Sequence, residues 1–339
     1  MSHGVLLGIV VMLVSMIGGL TAGFAQDKQL IDAAKKEGGK VVVYGSLEND
    51  TMDLLAAAFK KKTGLDVDYW RDSANKVTDR VSAESRAGKP QADVVLTTTS
   101  TLRLIQKDGL LAKYDSPAAK AFPQTVIDPN LGPAYRSTVI GVVYNTGIIK
   151  PGEAPKSVED LVKPQYKGKV VFPDPSQHTT TAQWLASLHK IIGQERAEKF
   201  IHDLAASKPL LVSSLTPAGE RITTGETPIG VAFLKNVVFY GRNGVPLDYV
   251  RSGKFMGDGQ SITMANKAPH VNAGKAFIDY FLGEESLKIM ANIGEFVTRK
   301  GIYPPLPDAN KIQLVDMIDM DKDAFAHKMA EYKKIFLQN

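Results

Sequence analysis

Residues 41–69 show a pattern of apolar and polar positions that predicts a complete strand–helix–strand unit. Val41–Tyr44 is a short apolar run rich in β-branched residues, which is typical of a buried parallel strand. Apolar positions then recur at helical spacing, and Gly64 can supply a left-handed end to that helix. Leu65–Tyr69 alternates apolar and acidic residues, as a second strand would. The pattern therefore predicts an α/β fold.

The rest of the chain continues this alternation of strands and helices. Further strands are predicted at Ala92–Leu96, Thr138–Tyr144, Val170–Phe172, Ile229–Leu234, Val245–Val250 and Gln260–Met264. A helix is predicted over Asn75–Ala87, and another after Thr181 with Trp184, Leu188, Ile191 and Ile192 on one face. Ser157 and Asp160 have the spacing of a capping box, which predicts a helix start.

Two polar loops after predicted strands are the first candidate binding segments. In open α/β sheets, ligands lie beyond the carboxyl ends of the strands, near helix N-termini. The loop Gly45–Asp50, which includes Ser46, occupies such a position. A run of five hydroxyl residues, 97–101, follows another strand, although a helix cap needs only one hydroxyl. We therefore expect Thr98, Thr99 or Ser100 to contact a ligand, with simple helix capping as the alternative.

The first 25 residues predict a cleaved secretory signal peptide. Met1–Ala25 contains no Asp, Glu, Lys or Arg, and Gly23-Phe24-Ala25 has small residues where a signal peptidase needs them. Cleavage before Gln26 would release the protein into the periplasm. An uncleaved membrane anchor is the alternative, since the apolar stretch is barely long enough to span a bilayer.

Composition narrows the class of protein further. The chain has 339 residues, enough for two lobes, and no cysteine, so its fold forms without disulfides and it cannot be a lipid-anchored lipoprotein. The net charge is +5, but no Lys/Arg-rich run with interleaved aromatic residues is present, so no nucleic-acid partner is expected. A mean hydropathy of −0.10 indicates no further membrane span. A periplasmic protein of a Gram-negative cell follows.

Several short motifs, taken in order, resemble the extracellular solute-binding proteins of ABC importers, in the branch that includes the periplasmic ferric-iron-binding proteins. The motifs are Lys62-Thr63-Gly64-Leu65, Gln91-Ala92-Asp93-Val94-Val95, Asp108-Gly109-Leu110-Leu111-Ala112, Val143-Tyr144-Asn145-Thr146, Pro164-Gln165-Tyr166-Lys167-Gly168-Lys169, Gly225-Glu226 with Pro228-Ile229-Gly230, and Lys267-Ala268-Pro269-His270-Val271-Asn272-Ala273. They cover nearly the whole chain after residue 25.

The resemblance implies a type II, Venus-flytrap architecture of two α/β lobes joined by a hinge. Lobe 1 would comprise residues 26–137 and 255–290, and lobe 2 residues 138–254 and 291–339. The protein would be a monomer that captures one small-molecule ligand between its lobes. It would deliver that ligand to an ABC permease with its ATPase. No cofactor is implied.

The resemblance also bears on the ligand. In the iron-binding relatives, two adjacent tyrosines supply phenolate ligands, but Val237-Val238 stands at the matching place here. Tyr240 could replace one phenolate of the pair and not both. The favoured ligand is therefore an organic anion: a phosphonate, a phosphate ester or a carboxylate. Ferric iron held by other residues is the alternative, and polyamine-like or thiamine-like cations follow.

Three segments of the second lobe supply the remaining ligand-binding candidates. The loop 173–181 matches the family's anion-binding segment, where a helix N-terminus offers free N–H groups. Its candidates are Ser176, Gln177, His178 and Thr179, while Asp174 could simply cap the turn. Arg136, Lys235 and Asn236 complete the set, because a guanidinium can clamp a carboxylate or phosphate with two hydrogen bonds. A surface ion pair is the alternative role for either cation.

No catalytic or metal site is predicted. The sequence lacks a Gly-x-Ser-x-Gly elbow, a His-Glu-x-x-His helix, a phosphate-binding P-loop and a zinc-spaced Cys/His cluster. A carrier therefore fits better than a secreted hydrolase, which could still assemble a triad from distant residues. A periplasmic sensor with the same fold is a further alternative.

Overall fold

The computed structural model describes residues 28–337, and the predicted signal peptide, residues 1–25, lies outside them. The helices are α1 (28–36), α2 (Asn49–Thr63), α3 (Ala74–Arg86), α4 (Thr99–Lys107), α5 (Thr179–Ser187), α6 (His189–Ile192), α7 (Gln194–Ala206), α8 (Leu215–Thr224), α9 (Lys235–Gly241), α10 (Val271–Phe281), α11 (Glu284–Asn292) and α12 (Lys322–Leu337). Short 3₁₀ helices span Pro117–Ala121, Gln124–Val126, Pro151–Glu153, Val158–Val162, Pro164–Tyr166 and Ala309–Lys311. None of the helices within 28–337 has the length and apolar character needed to cross a membrane.

Thirteen strands accompany these helices in the described part of the chain. They are β1 (Lys40–Gly45), β2 (Asp66–Arg71), β3 (Val94–Thr98), β4 (Leu111–Ala112), β5 (Ile127–Asp128), β6 (Gly132–Asn145), β7 (Val170–Pro173), β8 (Leu210–Val212), β9 (Ile229–Phe233), β10 (Leu247–Tyr249), β11 (Lys254–Ala265), β12 (Phe296–Val297) and β13 (Gln313–Asp316).

The chain divides into two compact units. Unit 1 takes the residues up to Pro133 together with Ser261–Ser286, and unit 2 takes Ala134–Gln260 together with the residues from Leu287 onward. The polypeptide therefore passes from one unit to the other three times, once within β6, once within β11 and once within α11.

Unit 1 is built on the predicted strand–helix–strand unit, which the structure confirms. β1 pairs in parallel with β2 on one side and with β3 on the other. The helix α2 connects the first two strands and buries Met52, Leu55 and Phe59 along one face. Gly64 ends α2 in the left-handed conformation, with φ of 75°, and its N–H donates to the carbonyl of Lys60. The polar loop after β1 is thus fixed at the carboxyl end of a parallel strand.

Unit 2 has a mixed sheet with a hydrophobic cluster on each face. β6 pairs antiparallel with β9, and β7 pairs in parallel with both β9 and β8. Because side chains alternate along a strand, Ile140 and Val142 of β6 join one buried cluster, while Val139 and Val143 join the other. The first cluster contains residues of α5, α6 and α7, and the second contains residues of α8 and α9.

Three elements differ from the sequence prediction. The helix predicted after Thr181 is divided into α5 and α6, because the hydroxyl of Ser187 donates to the carbonyl of Gln183 and disturbs the helical ladder there. The capping-box pattern starts a 3₁₀ helix instead of an α-helix. β11 begins at Lys254, earlier than predicted, because it gains the distant strand β13 as a parallel partner.

Candidate functional site

In unit 1, the two predicted binding loops come together at the carboxyl ends of β1 and β3. The Oγ of Ser46 lies 2.9 Å from the Oγ1 of Thr97. The N–H of Ser46 donates to the carbonyl of Leu96 at 3.0 Å, which fixes the loop. A Cβ at Gly45 would lie only 2.7 Å from that carbonyl oxygen, so glycine permits this close approach of the strands.

The hydroxyl run after β3 serves both local structure and a wider network. Thr98 caps α4 by accepting from the N–H of Thr101, and its hydroxyl also bonds that of Thr101 at 2.6 Å. Ser100 Oγ lies 3.2 Å from Thr98 Oγ1. Thr99 Oγ1 lies 2.8 Å from the Oγ of Ser261, and both side chains are buried. Thr98 thus has the capping role that was the alternative to ligand contact.

We name Ser46, Thr97, Thr98, Thr99, Ser100 and Ser261 the hydroxyl cluster. Thr97 and Ser261 were not among the predicted site residues. Thr97 belongs to the same hydroxyl run and could have been included on that signal. Ser261 lies 162 positions from its partner Thr99, and no local pattern marks it. Hydroxyl groups can both donate and accept, so the cluster can bind a neutral or an anionic ligand.

In unit 2, the loop before α5 is organised by a buried aspartate. The carboxylate of Asp174 accepts from the N–H of Ser176 at 2.8 Å and from the side-chain amide of Gln177 at 2.6 Å. Its backbone carbonyl accepts from the N–H groups of Gln177 and His178. Asp174 therefore caps this turn, and Ser176 and Gln177 take their positions from it.

His178 is the N-cap residue of α5. Its Nδ1 lies 2.8 Å from the Oγ1 of Thr181, which is fully buried. Burial lowers the pKa of His178 below its usual 6.5, so the imidazole is neutral near pH 7. Thr179 begins the helix, and the first N–H groups of a helix have no intrahelical partner. This segment offers hydrogen-bond donors and a helix dipole without a fixed negative charge facing the helix start from the imidazole.

A charge network forms a second feature of unit 2. The Nη1 of Arg136 lies 2.6 Å from the Oε1 of Glu295, and the Nζ of Lys235 lies 3.1 Å from the same oxygen. The side chains of Arg136 and Glu295 are 2% and 3% exposed, while that of Lys235 is 22% exposed. Two cations and one carboxylate leave a formal charge of +1 in this group. We call these three residues the charge network.

Asn236 follows Lys235 in α9 and is buried against α8. A Cβ at Gly219 of α8 would lie 2.1 Å from the Nδ2 of Asn236, so this amide packs directly on the helix backbone. The structure thus gives Asn236 a packing contact between two helices of unit 2.

Asp258 of β11 adds a titratable group to the same unit. Burial raises its pKa to about 7, and the negative charges of Asp319 and Asp316 raise it further, while Arg136 acts in the opposite direction. The carboxyl group of Asp258 therefore changes its charge near neutral pH.

The residues at the position of the iron-binding tyrosines have no metal-binding chemistry. Val238 is buried in α9, and Val237 packs against the same hydrophobic cluster. Burial raises the pKa of Tyr240, so its phenol holds its proton more tightly than a free tyrosine does. Among residues 28–337, no group of three or more His, Asp or Glu side chains is placed to hold a metal ion.

Comparison with known proteins decides the family. Residues 55–324 match the family model of the bacterial extracellular solute-binding proteins. The chain belongs to this family.

Curated relatives of this solute-binding protein carry several names. An uncharacterised protein of Haemophilus influenzae is 26% identical over 315 residues, which cover 88% of each chain. A candidate 2-aminoethylphosphonate-binding periplasmic protein of Salmonella paratyphi A is 25% identical and covers 68% of each chain. Iron uptake protein A1 of Synechocystis is 26% identical and covers 66% of this chain and 61% of its own.

Solved structures confirm the α/β fold of two-lobe periplasmic binding proteins. The periplasmic binding protein AfuA of Actinobacillus pleuropneumoniae, with fructose-6-phosphate bound, has a TM-score of 0.66 at 22% identity, covering 88% of this chain and 97% of its own. Iron-bound HitA of Pseudomonas aeruginosa has a TM-score of 0.65 at 19% identity, covering 87% and 96%. At these identities the likeness establishes the fold and not the ligand.

Proposed function

We propose that this protein is the periplasmic solute-binding component of an ABC importer and that its solute is a small organic anion. The anion would carry a phosphonate, phosphate-ester or carboxylate group and pass to a permease with its ATPase. The observation that carries this proposal is the chemistry of the candidate residues. They are hydroxyls, helix N–H groups, a neutral imidazole and a charge network with a surplus cation.

In unit 1, we propose that Ser46, Thr99 and Ser100 contact the ligand. In unit 2, we propose the start of α5, from Ser176 to Thr179, together with Lys235. Arg136 would act as a positioned cation, because its guanidinium is buried beside Glu295. Charge-assisted hydrogen bonds from such groups are shorter and stronger than neutral ones.

The names of relatives support an anion with a phospho group. One relative is named for 2-aminoethylphosphonate, and one structural neighbour contains fructose-6-phosphate. Both molecules present a tetrahedral phosphorus group with several acceptor oxygens. The donor-rich residues proposed here suit that group better than they suit a bare metal cation.

Ferric iron is the second candidate function, because one relative is named an iron uptake protein and one neighbour is an iron-bound protein. Val237 and Val238 provide no ligand atoms, and Tyr240 keeps its proton more tightly than usual. Iron would then need exogenous anions for most of its coordination. Purified protein mixed with ferric citrate should therefore show no phenolate-to-iron charge-transfer band.

We further propose that residues 1–25 are removed on export and that the mature chain is a periplasmic monomer. Relatives named as periplasmic proteins support this location. Intact-mass measurement of protein from the native periplasm should give a chain that starts at Gln26 or within two residues of it. Membrane-bound protein that retains Met1 would contradict the proposal.

A thermal-shift screen of the mature protein tests the ligand class. The panel contains 2-aminoethylphosphonate, fructose 6-phosphate, citrate, ferric citrate and spermidine. A ligand present at 100 times its dissociation constant stabilises the folded state by about 2.7 kcal/mol. We expect a phospho compound to raise the melting temperature and to be recovered unchanged by phosphorus NMR. Stabilisation by spermidine alone, or conversion of the phospho compound, would refute the anion-carrier proposal.

A further inference from the structure

A cavity of about 230 Å³ lies within unit 2, apart from the residues proposed to bind the transported solute. It is on the face of the sheet that carries Ile140 and Val142, beneath α5 and α6. Neither the α5 start nor any member of the charge network lines it. It is therefore a candidate for a second site.

The walls of this cavity are mostly aliphatic. They include Ile140, Val142, Leu188, Ile191, Ile192 and Phe255. An apolar cavity of about 150 Å³ lined by similar residues stays dry and can bind benzene. A cavity of 230 Å³ therefore has room for a larger apolar group, such as an alkyl chain of several carbons.

One wall residue carries a polar group that the surrounding described residues leave unsatisfied. The side chain of Trp184 is 3% exposed, and its Nε1 has no hydrogen-bond partner within residues 28–337. Buried polar groups are almost always hydrogen-bonded, so an unpaired indole N–H at a cavity wall calls for an acceptor. A ligand oxygen in the cavity would supply one.

The rim of the cavity is positively charged. Arg196 and Glu159 form a salt bridge there and cancel each other. Lys156 and Lys254 also line the rim, are exposed, and form no salt bridge with any described residue. The net rim charge of two lysines favours an anionic ligand over a neutral or cationic one.

We propose that this cavity binds a medium-chain aliphatic carboxylate. The alkyl chain packs against the aliphatic walls, one carboxylate oxygen accepts from the Trp184 N–H, and Lys156 and Lys254 attract the negative charge. The site is an accessory to the transported solute's site, and its existence does not depend on which solute the importer carries.

Tryptophan fluorescence gives a direct test, because the chain has only two tryptophans, Trp70 and Trp184. A Trp70→Phe variant leaves Trp184 as the single reporter. Titration with octanoate should change its emission saturably, with one molecule bound per chain. Each buried methylene is worth about 0.8 kcal/mol, so hexanoate should bind roughly 15-fold more weakly. Octyltrimethylammonium, which has the same chain and the opposite charge, should bind at least tenfold more weakly than octanoate.

Variants measured by calorimetry test each part of the site. Ile192→Phe fills the cavity and should weaken octanoate binding at least tenfold, while Trp184→Phe removes the donor and keeps an aromatic wall. Lys156→Gln and Lys254→Gln should each weaken binding about threefold, with Lys61→Gln on α2 as the charge-matched control. The melting temperature of each variant shows whether it is folded.

Equal affinities for octanoate and octyltrimethylammonium, or an absence of saturable binding, would overturn the proposal. Undiminished octanoate binding by folded Ile192→Phe would also overturn it. A repeat of the titration with the primary phospho ligand at saturation should give the same octanoate affinity. A loss of binding in that repeat would assign octanoate to the transported solute's site instead.

Discussion

At the residue scale, Arg136 differs from the exposed clamp that its residue type suggested. It is buried and paired with Glu295, which Lys235 also contacts. A buried ion pair contributes little net stability, but removal of one partner leaves a charge without compensation. Arg136 is thus expected to affect the folded state and ligand affinity together, and a test has to separate them.

Arg136→Met keeps most of the side-chain volume and removes the charge. Removing one charged partner of a buried, hydrogen-bonded pair costs about 2–5 kcal/mol in binding. We therefore expect the variant to bind the phospho ligand more than tenfold more weakly, measured by calorimetry well below its melting temperature. Arg221→Met is the matched control, because Arg221 forms an exposed pair with Glu226. Equal affinities of Arg136→Met and the wild type would contradict a role for Arg136 in binding.

Asp258 makes stability depend on pH. Its pKa is about 7 in the folded protein and has the ordinary value of 3.8 in the unfolded chain. Between these two pH values the folded protein holds a proton that the unfolded chain has lost. The free energy of unfolding therefore falls as pH rises from about 4 to about 7, and this contribution is constant above that range.

The Asp258→Asn variant cannot lose this proton. Relative to the wild type, its free energy of unfolding should therefore increase between pH 4 and pH 7.5, by about 1–2 kcal/mol after allowance for partial solvent contact. Urea unfolding at both pH values measures the change. Asp115→Asn, at an exposed position, should show no such trend. A pH-independent difference between wild type and Asp258→Asn would refute the raised pKa.

At the element scale, the strand that leads to α9 depends on a glycine. Gly230 of β9 lies opposite Val171 of β7. A Cβ at position 230 would lie 2.2 Å from the carbonyl oxygen of Val171, which is a backbone atom and cannot rotate away. The close pairing of these strands in unit 2 therefore requires glycine.

Gly230→Ala should lower the free energy of unfolding by about 1–3 kcal/mol or more, because overpacking forces the backbone to shift. Gly241→Ala is the matched control, since a Cβ there has no atom within 4 Å. In a helix, that control should be neutral or stabilising by up to about 1 kcal/mol. Equal stability of the two variants in urea unfolding would contradict the strand geometry.

Elements that depend on local signals were predictable from the sequence, and those that depend on distant partners were not. The β1–α2–β2 unit and the helix end at Gly64 follow from apolar spacing and one glycine. The turn at Asp174 follows from ordinary capping chemistry. In contrast, Glu295 meets Arg136 from a position 159 residues later, and β13 extends β11 across a similar loop in sequence. No periodicity within a window of a few residues reports such pairings.

At the scale of the whole molecule, the family is established over residues 55–324 and the ligand is a proposal. The relatives share the α/β fold, while their names include a phosphonate and iron. Because the fold is common to both, specificity has to come from particular side chains. Here those side chains are hydroxyls, amides and cations, with valines where phenolates would bind iron.

Isothermal titration calorimetry of the mature chain tests this account most directly. The protein is titrated with 2-aminoethylphosphonate, with fructose 6-phosphate and, separately, with ferric citrate while the visible spectrum is recorded. The account predicts saturable binding of at least one phospho compound at one molecule per chain, and a ferric citrate mixture without a charge-transfer band. Binding of ferric iron with such a band, and no heat from either phospho compound, would contradict it.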